Sequence, residues 1–152
     1  MSDNTNFKTL VGVIIQAELD DKPRHELLLE LGETPAYILQ HCPGFTALDL
    51  VLKARNLGKM VFDHGMKKGV IERLPDILAK PKALYKSAST HVKDASVIMT
   101  YETHNGFPII IAIHPGKMIG RRAVNEVASM YFKEGPDPEE KWKSAGLLLW
   151  QA

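Results

Sequence analysis

"VNEVASMYF", residues 124–132, reads in two ways. At helical spacing Val124, Val127 and Tyr131 form an apolar stripe, whereas at strand spacing Asn125, Val127, Ser129 and Tyr131 form one face. The first reading ends the C-terminal half in a helix. The second adds the segment to a sheet.

Its neighbours carry strand chemistry. "KALYKS", "SVIMTYE" and "FPIIIAIHP" are short and rich in β-branched and aromatic residues, and Thr103-His104-Asn105-Gly106 separates the last two. Asn-Gly favours a tight hairpin, so this half reads as an antiparallel meander. Downstream, "GPDPEEKWKS" reads as an exposed loop entering a short helix, and "AGLLLW" as a terminal strand.

The N-terminal half reads mostly helical. "FKTLVGVIIQAEL" (7–19) suits either a buried strand or an apolar helix start, and periodicity does not separate them. In "HELLLELGETPAYIL" (25–39), Leu27, Leu28 and Leu31 cluster on one helical side, Gly32 stands as a cap, and Thr34-Pro35 opens a second short helix. "CPGF" is a turn, and "ALDLVLK" alternates as a short strand with Leu48, Leu50 and Leu52 on one face. From Ala54 to Gly65 the positions Leu57, Met60 and Val61 repeat at helical spacing, with Gly65 as terminator, which places His64 in the last turn. Val70 to Leu78 is amphipathic, Pro75 kinks it or begins a new turn, and Pro81 ends it. Helices first and strands afterwards is an α+β order.

A chain of 152 residues fits one domain, with 45% hydrophobic and 24% charged residues and no apolar stretch long enough for a membrane helix. The start lacks the basic and apolar regions of a secretory signal, and a lone cysteine, Cys42, has no internal disulfide partner. Both favour a reducing cytoplasm, or delivery into one, and Cys42 reads as a buried or unreactive thiol. The net charge of +1 is unevenly spread, at −5 over residues 1–52, +7 over 53–93 and −1 over 94–152. An anion would go to the middle.

No phosphate-binding loop, dinucleotide-binding glycine pattern, zinc-protease motif or cysteine pair is present, and nothing matches the motifs of nucleotide or ADP-ribose transfer. The histidines at 25, 41, 64, 91, 104 and 114 show no ligand spacing, so neither metal nor cofactor is expected. What remains is a polar set in or beside the basic middle and the sheet: His64, Ser87, Ser89, Thr90, His91, Arg121, Arg122, Asn125, Ser129 and Tyr131. Cleaving RNA without a metal needs a base for the 2′-hydroxyl, an acid for the leaving 5′-oxygen, and cationic or hydroxyl donors around the phosphorane-like transition state. Histidine titrates near neutral pH and serves as either proton carrier.

The order of marks from residue 32 onward resembles the C-terminal domain of phage Mu-type F (MuF) head-morphogenesis proteins and phage-associated toxins, within the group of folds shared by barnase, EndoU, colicin D and RelE. It runs through "LGETPAYILQ", "LDLVLK", the helix ending in His64, "LPDILAKPKALYKSAS", "GFPIIIAI", "VNEVASMY" and "WKSAGLLLW". The resemblance implies a single nuclease-type domain over 32–152 behind an N-terminal extension, 1–30. It implies N-terminal helices packed on a four-stranded antiparallel sheet, with "VNEVASMYF" as a strand carrying Asn125, Ser129 and Tyr131 on one face. The function implied is a toxin-like, metal-independent endoribonuclease, or a non-catalytic phage or effector interaction module that keeps the fold. His64, Ser87, Asn125, Ser129 and Tyr131 become the candidate catalytic set. Lys67, Lys68, Lys86, Arg121 and Arg122 become the substrate-binding set. RNA is the expected partner, together with an acidic antitoxin or immunity protein that masks the basic surface, and no membrane.

Overall fold

A computed structural model of the chain describes residues 4–89 and 91–152; Thr90 lies outside them. In chain order the elements are α1 (Asn4–Leu19), β1 (Leu28–Glu33), α2 (Ala36–His41), β2 (Asp49–Lys53), α3 (Ala54–Phe62), α4 (Lys68–Glu72), α5 (Leu74–Ala79), β3 (Ala83–Lys86), β4 (Ser96–His104), β5 (Phe107–Ile119), β6 (Arg122–Phe132), α6 (Pro138–Ser144) and β7 (Leu148–Gln151). All seven strands join one sheet in the order β1-β2-β6-β5-β4-β3-β7. Neighbours are antiparallel except β2 and β6, which run parallel.

The expected four-stranded antiparallel sheet is therefore overturned, although the protein remains α+β overall. The antiparallel meander β4–β5–β6 is present at the centre, and strands add to it on both sides. One cause is the leucine run after His25. It forms β1 rather than a helix, and Gly32, at φ 82, marks an irregularity in the pairing with β2 rather than a helix cap. A run of consecutive leucines carries no period, so pairing with β2 decides its conformation. The other cause is β2, which reaches β6 through Leu50↔Asn125 and Val51↔Glu126 and makes the sheet mixed.

The sheet separates two cores. On one side α1 through α5 bury Phe7, Val11, Ile14, Ile38, Leu57, Met60, Ile71 and Leu74 against Leu50, Leu52, Ile98, Ile111, Val127 and Met130 of the strands. Phe7, Val11 and Ile14 recur at i, i+4 and i+7, which settles residues 7–19 as part of a helix. On the other side α6 places Trp142 over Ala83, Tyr85, Val97, Met99 and Ile110. Covered on both faces, the centre of β5 buries Ile109, Ile110 and Ile111 in succession.

Turn chemistry fixes the connections. Asn105 and Gly106 adopt φ 51 and 81, the pair of left-handed residues that a tight hairpin requires. Asp137 accepts a hydrogen bond from the Glu139 N–H at 3.0 Å and opens α6, with Pro138 in its first turn. Pro75 begins α5 as a new helix after α4 instead of kinking one. Most relevant to the site, α3 follows directly on β2 and packs beside β6, so it covers the strand edge that β2 leaves after two paired residues.

Candidate functional site

A β-bulge in β6 sorts its side chains. Ser129 pairs with Ala112 and Val127 with Ile113, so Ala128 is an extra residue with no partner. The alternation slips by one there. Val127 and Met130 point into the helix-side core, and Glu126, in phase with Val51 of β2, shares the opposite face with Ser129 and Tyr131. Asn125, expected on the face of Ser129 and Tyr131, is displaced from it by the bulge. It is fully buried, its amide donating to Thr34 Oγ1 at 2.8 Å and the Thr46 carbonyl at 2.9 Å while its oxygen accepts the Gly116 N–H at 3.1 Å. Those three bonds tie the loop before β2 and the β5 bend to β6, and they use both N–H donors and one lone pair of the amide.

Glu126 takes the position the sequence assigned to Asn125. Its side chain is 8% exposed, with Lys53 Nζ 3.3 Å from Oε2. Asn56, near the start of α3, donates to Oε1 at 3.0 Å. Oε2 receives no hydrogen bond. Directly across on β5 stands the half-buried His114. Burial lowers its pKa below the ordinary 6.5, Lys117 lowers it further, and Glu126 opposes both. Four functional groups thus converge from β2, α3, β5 and β6: a buried carboxylate, a near-neutral imidazole, an ammonium and an amide. None was singled out from the sequence, because even counting from Tyr131 across Ala128 lands on Asn125.

His64 lies against the far end of β6. α3 ends at Phe62, so His64 sits in the turn after the helix rather than in its last turn. That turn is closed by the His64 N–H donating to the Lys59 carbonyl at 3.0 Å and the Met66 N–H donating to the Met60 carbonyl at 2.9 Å, with Gly65 left-handed at φ 68. The exposed imidazole meets the Tyr131 ring at a centroid distance of 5.5 Å. Burial raises the Tyr131 phenol pKa. Next in sequence, Phe132 stacks on His104 at 4.5 Å, so two imidazoles flank the end of β6. At about 3.3 Å per residue, the His64–Tyr131 pair is about 15 Å from Glu126 along the strand. Ser129 lies between them, its Oγ buried and without a partner.

The other expected residues are dispersed. Ser87 accepts the Ser89 N–H at 3.2 Å in a local turn, and Ser89 in turn accepts the His91 N–H at 3.4 Å. Lys86 is exposed on β3, with β4 and β5 between it and β6. Lys67 and Lys68 are exposed at the start of α4, a few residues beyond His64. Arg121 and Arg122 sit at the other end of β6 from Tyr131. Arg122 holds both Glu30 oxygens, at 2.9 and 2.7 Å, and Asp49 at 3.1 Å, a bidentate contact that knits β1 to β6. Cys42 is buried beside Ser96 Oγ at 3.1 Å, and burial raises its pKa. Among the described residues no three of His, Cys, Asp and Glu are placed to hold a metal ion. No helix of the described residues is long and apolar enough to cross a membrane.

A mixed sheet with α1 to α5 on one face and α6 on the other defines a small α+β domain. The chain belongs to the phage MuF-C-terminal domain family, whose model matches residues 55–152, nearly two thirds of its length. The match begins at the start of α3 and takes in His64, the meander, the bulge and Glu126. No curated protein and no solved structure matches the chain.

Proposed function

We propose that the protein is a metal-independent endoribonuclease of toxin type, the activity that its resemblance to phage-associated toxins implies, and its place of action a cytoplasm. The observation that carries this reading is the pairing of Glu126 with His114 across β5 and β6, with Lys53 3.3 Å from the carboxylate. Cross-strand partners stand about 5 Å apart at Cα, which sets two proton carriers on either side of one phosphodiester. The Glu126 carboxylate takes the proton of the 2′-hydroxyl once the RNA draws Lys53 away from Oε2, an oxygen closed to solvent in the free protein. An arriving phosphate offsets the effect of Lys117 on His114 and favours the imidazolium, which delivers a proton to the leaving 5′-oxygen. Lys53 and Lys117 stabilise the charge gathered on the phosphorane. In this reading His64 and Tyr131 hold the adjoining nucleotide, with Ser129 closed to solvent beneath them, and Lys67 and Lys68 extend the basic path.

The test is incubation of purified protein with transfer RNA and total RNA in EDTA. Cleavage by wild type, loss of about 10²- to 10⁴-fold in Glu126→Gln and His114→Ala, and a smaller loss in His64→Ala are expected. Intact RNA with wild type, or equal cleavage by all four proteins, removes the enzyme.

A second reading is an interaction module without turnover. What favours it is that Asn125, Arg122 and Ser87, three of the residues expected to handle phosphate, are engaged in structural contacts. It requires that induced expression leaves bacterial growth unchanged. The toxin reading requires arrest, relieved by Glu126→Gln and by a small acidic partner that masks Lys53, Lys67 and Lys68.

A further inference from the structure

On the far side of α3 from β6 lies a pocket of about 280 Å³, lined by Glu18 from the end of α1, His25 from the loop after it, and Arg55, Lys59, Phe62 and Asp63 of the α3 segment. Pockets for small ligands begin near 300 Å³, so this one has room for a phosphate-sized group, with a base left at its edge. Three features say what it takes. Arg55, Lys59 and Phe62 stand at i, i+4 and i+7, one stripe of the helix, and both cations are exposed. Among the described residues neither cation has an ion-pair or side-chain hydrogen-bond partner, as is true of most lysines and arginines of the chain, so both are available to an anion. Phe62 is 49% exposed at the pocket mouth, an unusual setting for a phenyl ring in a chain that packs most of its aromatics.

The wall opposite carries a carboxylate and an imidazole. The Glu18 carboxylate lies 3.2 Å from His25 Nε2, and it occupies the space that a side chain at position 58 would need, since a Cβ on Gly58 would fall 2.7 Å from Glu18 Oε1. Gly58 is buried in the middle of α3, where glycine weakens a helix by about 0.5–1 kcal/mol relative to alanine. The helix thus keeps an unfavourable residue at the floor of the pocket.

We propose that this pocket is a subsite for a nucleotide of single-stranded RNA flanking the one to be cut: Arg55 and Lys59 bind its phosphate and Phe62 stacks on its base. The proposal rests on the ribonuclease reading for its biological meaning. α3 is the shared wall, with Asn56 on the Glu126 side and Arg55 on the pocket side, and its C-terminal turn carries Phe62, Asp63 and His64.

The test is the binding of a short 2′-O-methyl RNA, which has no 2′-hydroxyl to react, by fluorescence anisotropy over a range of salt. Arg55→Gln and Lys59→Gln are expected to weaken binding and each to reduce the slope of log K against log salt by about 0.7. Phe62→Ala is expected to weaken it about 5- to 150-fold with the slope unchanged. All three positions are exposed, and a thermal melt equal to wild type excludes unfolding as the cause. Wild-type-like affinity and slope in all three variants, or no affinity in wild type, overturns the subsite. The two readings fail separately. If wild type binds the probe through these residues but cuts nothing, the enzyme is lost and the subsite stands; if RNA is cut and the variants bind like wild type, the subsite alone is lost.

Discussion

Asn125 and Glu126 are neighbours with opposite assignments, and each makes a distinct prediction. Removing the Asn125 amide strands the Thr46 carbonyl and loosens both the Thr34 and Gly116 contacts. Asn125→Ala should therefore lower stability by about 2–4 kcal/mol, seen as an earlier urea midpoint. Any RNA affinity should survive where the protein stays folded. A stable but inactive Asn125→Ala would instead restore it to the site. His114 carries a pH signature. Its folded pKa lies below the ordinary 6.5, so below that pH the unfolded chain binds the proton more readily. Its share of stability is whole above pH 6.5 and is lost as pH falls through the folded pKa. The urea midpoint should fall in that window for wild type and fall less for His114→Gln, and equal pH profiles would show that His114 is not desolvated in the folded protein. The place of His64 beside the end of α3 was legible because a left-handed glycine follows it. Glu126 was not, because Val127-Ala128-Ser129 carries no turn chemistry to announce a bulge.

At the scale of elements, the best-read segments were those whose local chemistry admits one answer. Asn105-Gly106 made a hairpin, the stripe ending near Gly65 made α3, and Asp137-Pro138 opened α6. Leu27–Leu31 went wrong because β1 exists only through its pairing with β2, a contact between residues more than fifteen apart that no window of sequence contains. The docking of α6 shows how one side chain can hold an element. Glu139 accepts from the Tyr85 hydroxyl at 2.8 Å and from Lys82 Nζ at 2.7 Å, beside the Tyr85–Trp142 ring contact at 5.2 Å. The Tyr85 phenol is buried, and its pKa is raised by that burial first and by Glu139 second. Glu139→Ala leaves a buried hydroxyl unpaired at a cost of about 1–3 kcal/mol, a fall of several degrees in melting temperature. Tyr85→Phe added to Glu139→Ala removes the stranded hydroxyl and should recover part of the loss. If the double variant is less stable than the single one by the full cost of Tyr85→Phe alone, the two groups are not coupled.

At the scale of the whole molecule, the family match and the folding unit have different boundaries. The match begins at Arg55, yet β1 and β2 are strands of the same sheet, and Phe7, Val11 and Ile14 of α1 complete the same core as Leu57, Met60 and Ile71. A fragment of residues 55–152 would lose the α1 apolar face and the strand β2 that supplies Leu50, Leu52 and Lys53, and it would open the beginning of β6 as an unpaired edge. Each large apolar side chain returned to water costs about 1.5–3 kcal/mol, so losing the partners of three or four core residues matches the whole stability of a typical domain, about 5–15 kcal/mol. The fragment should therefore show no cooperative thermal transition and little near-ultraviolet circular dichroism, whereas the full chain shows both. Adding residues 1–54 as a separate chain should recover the transition if the N-terminal elements act by packing alone. A fragment that melts cooperatively by itself would mean that the sheet closes without β1 and β2, and Lys53 would then cease to be part of the site around Glu126.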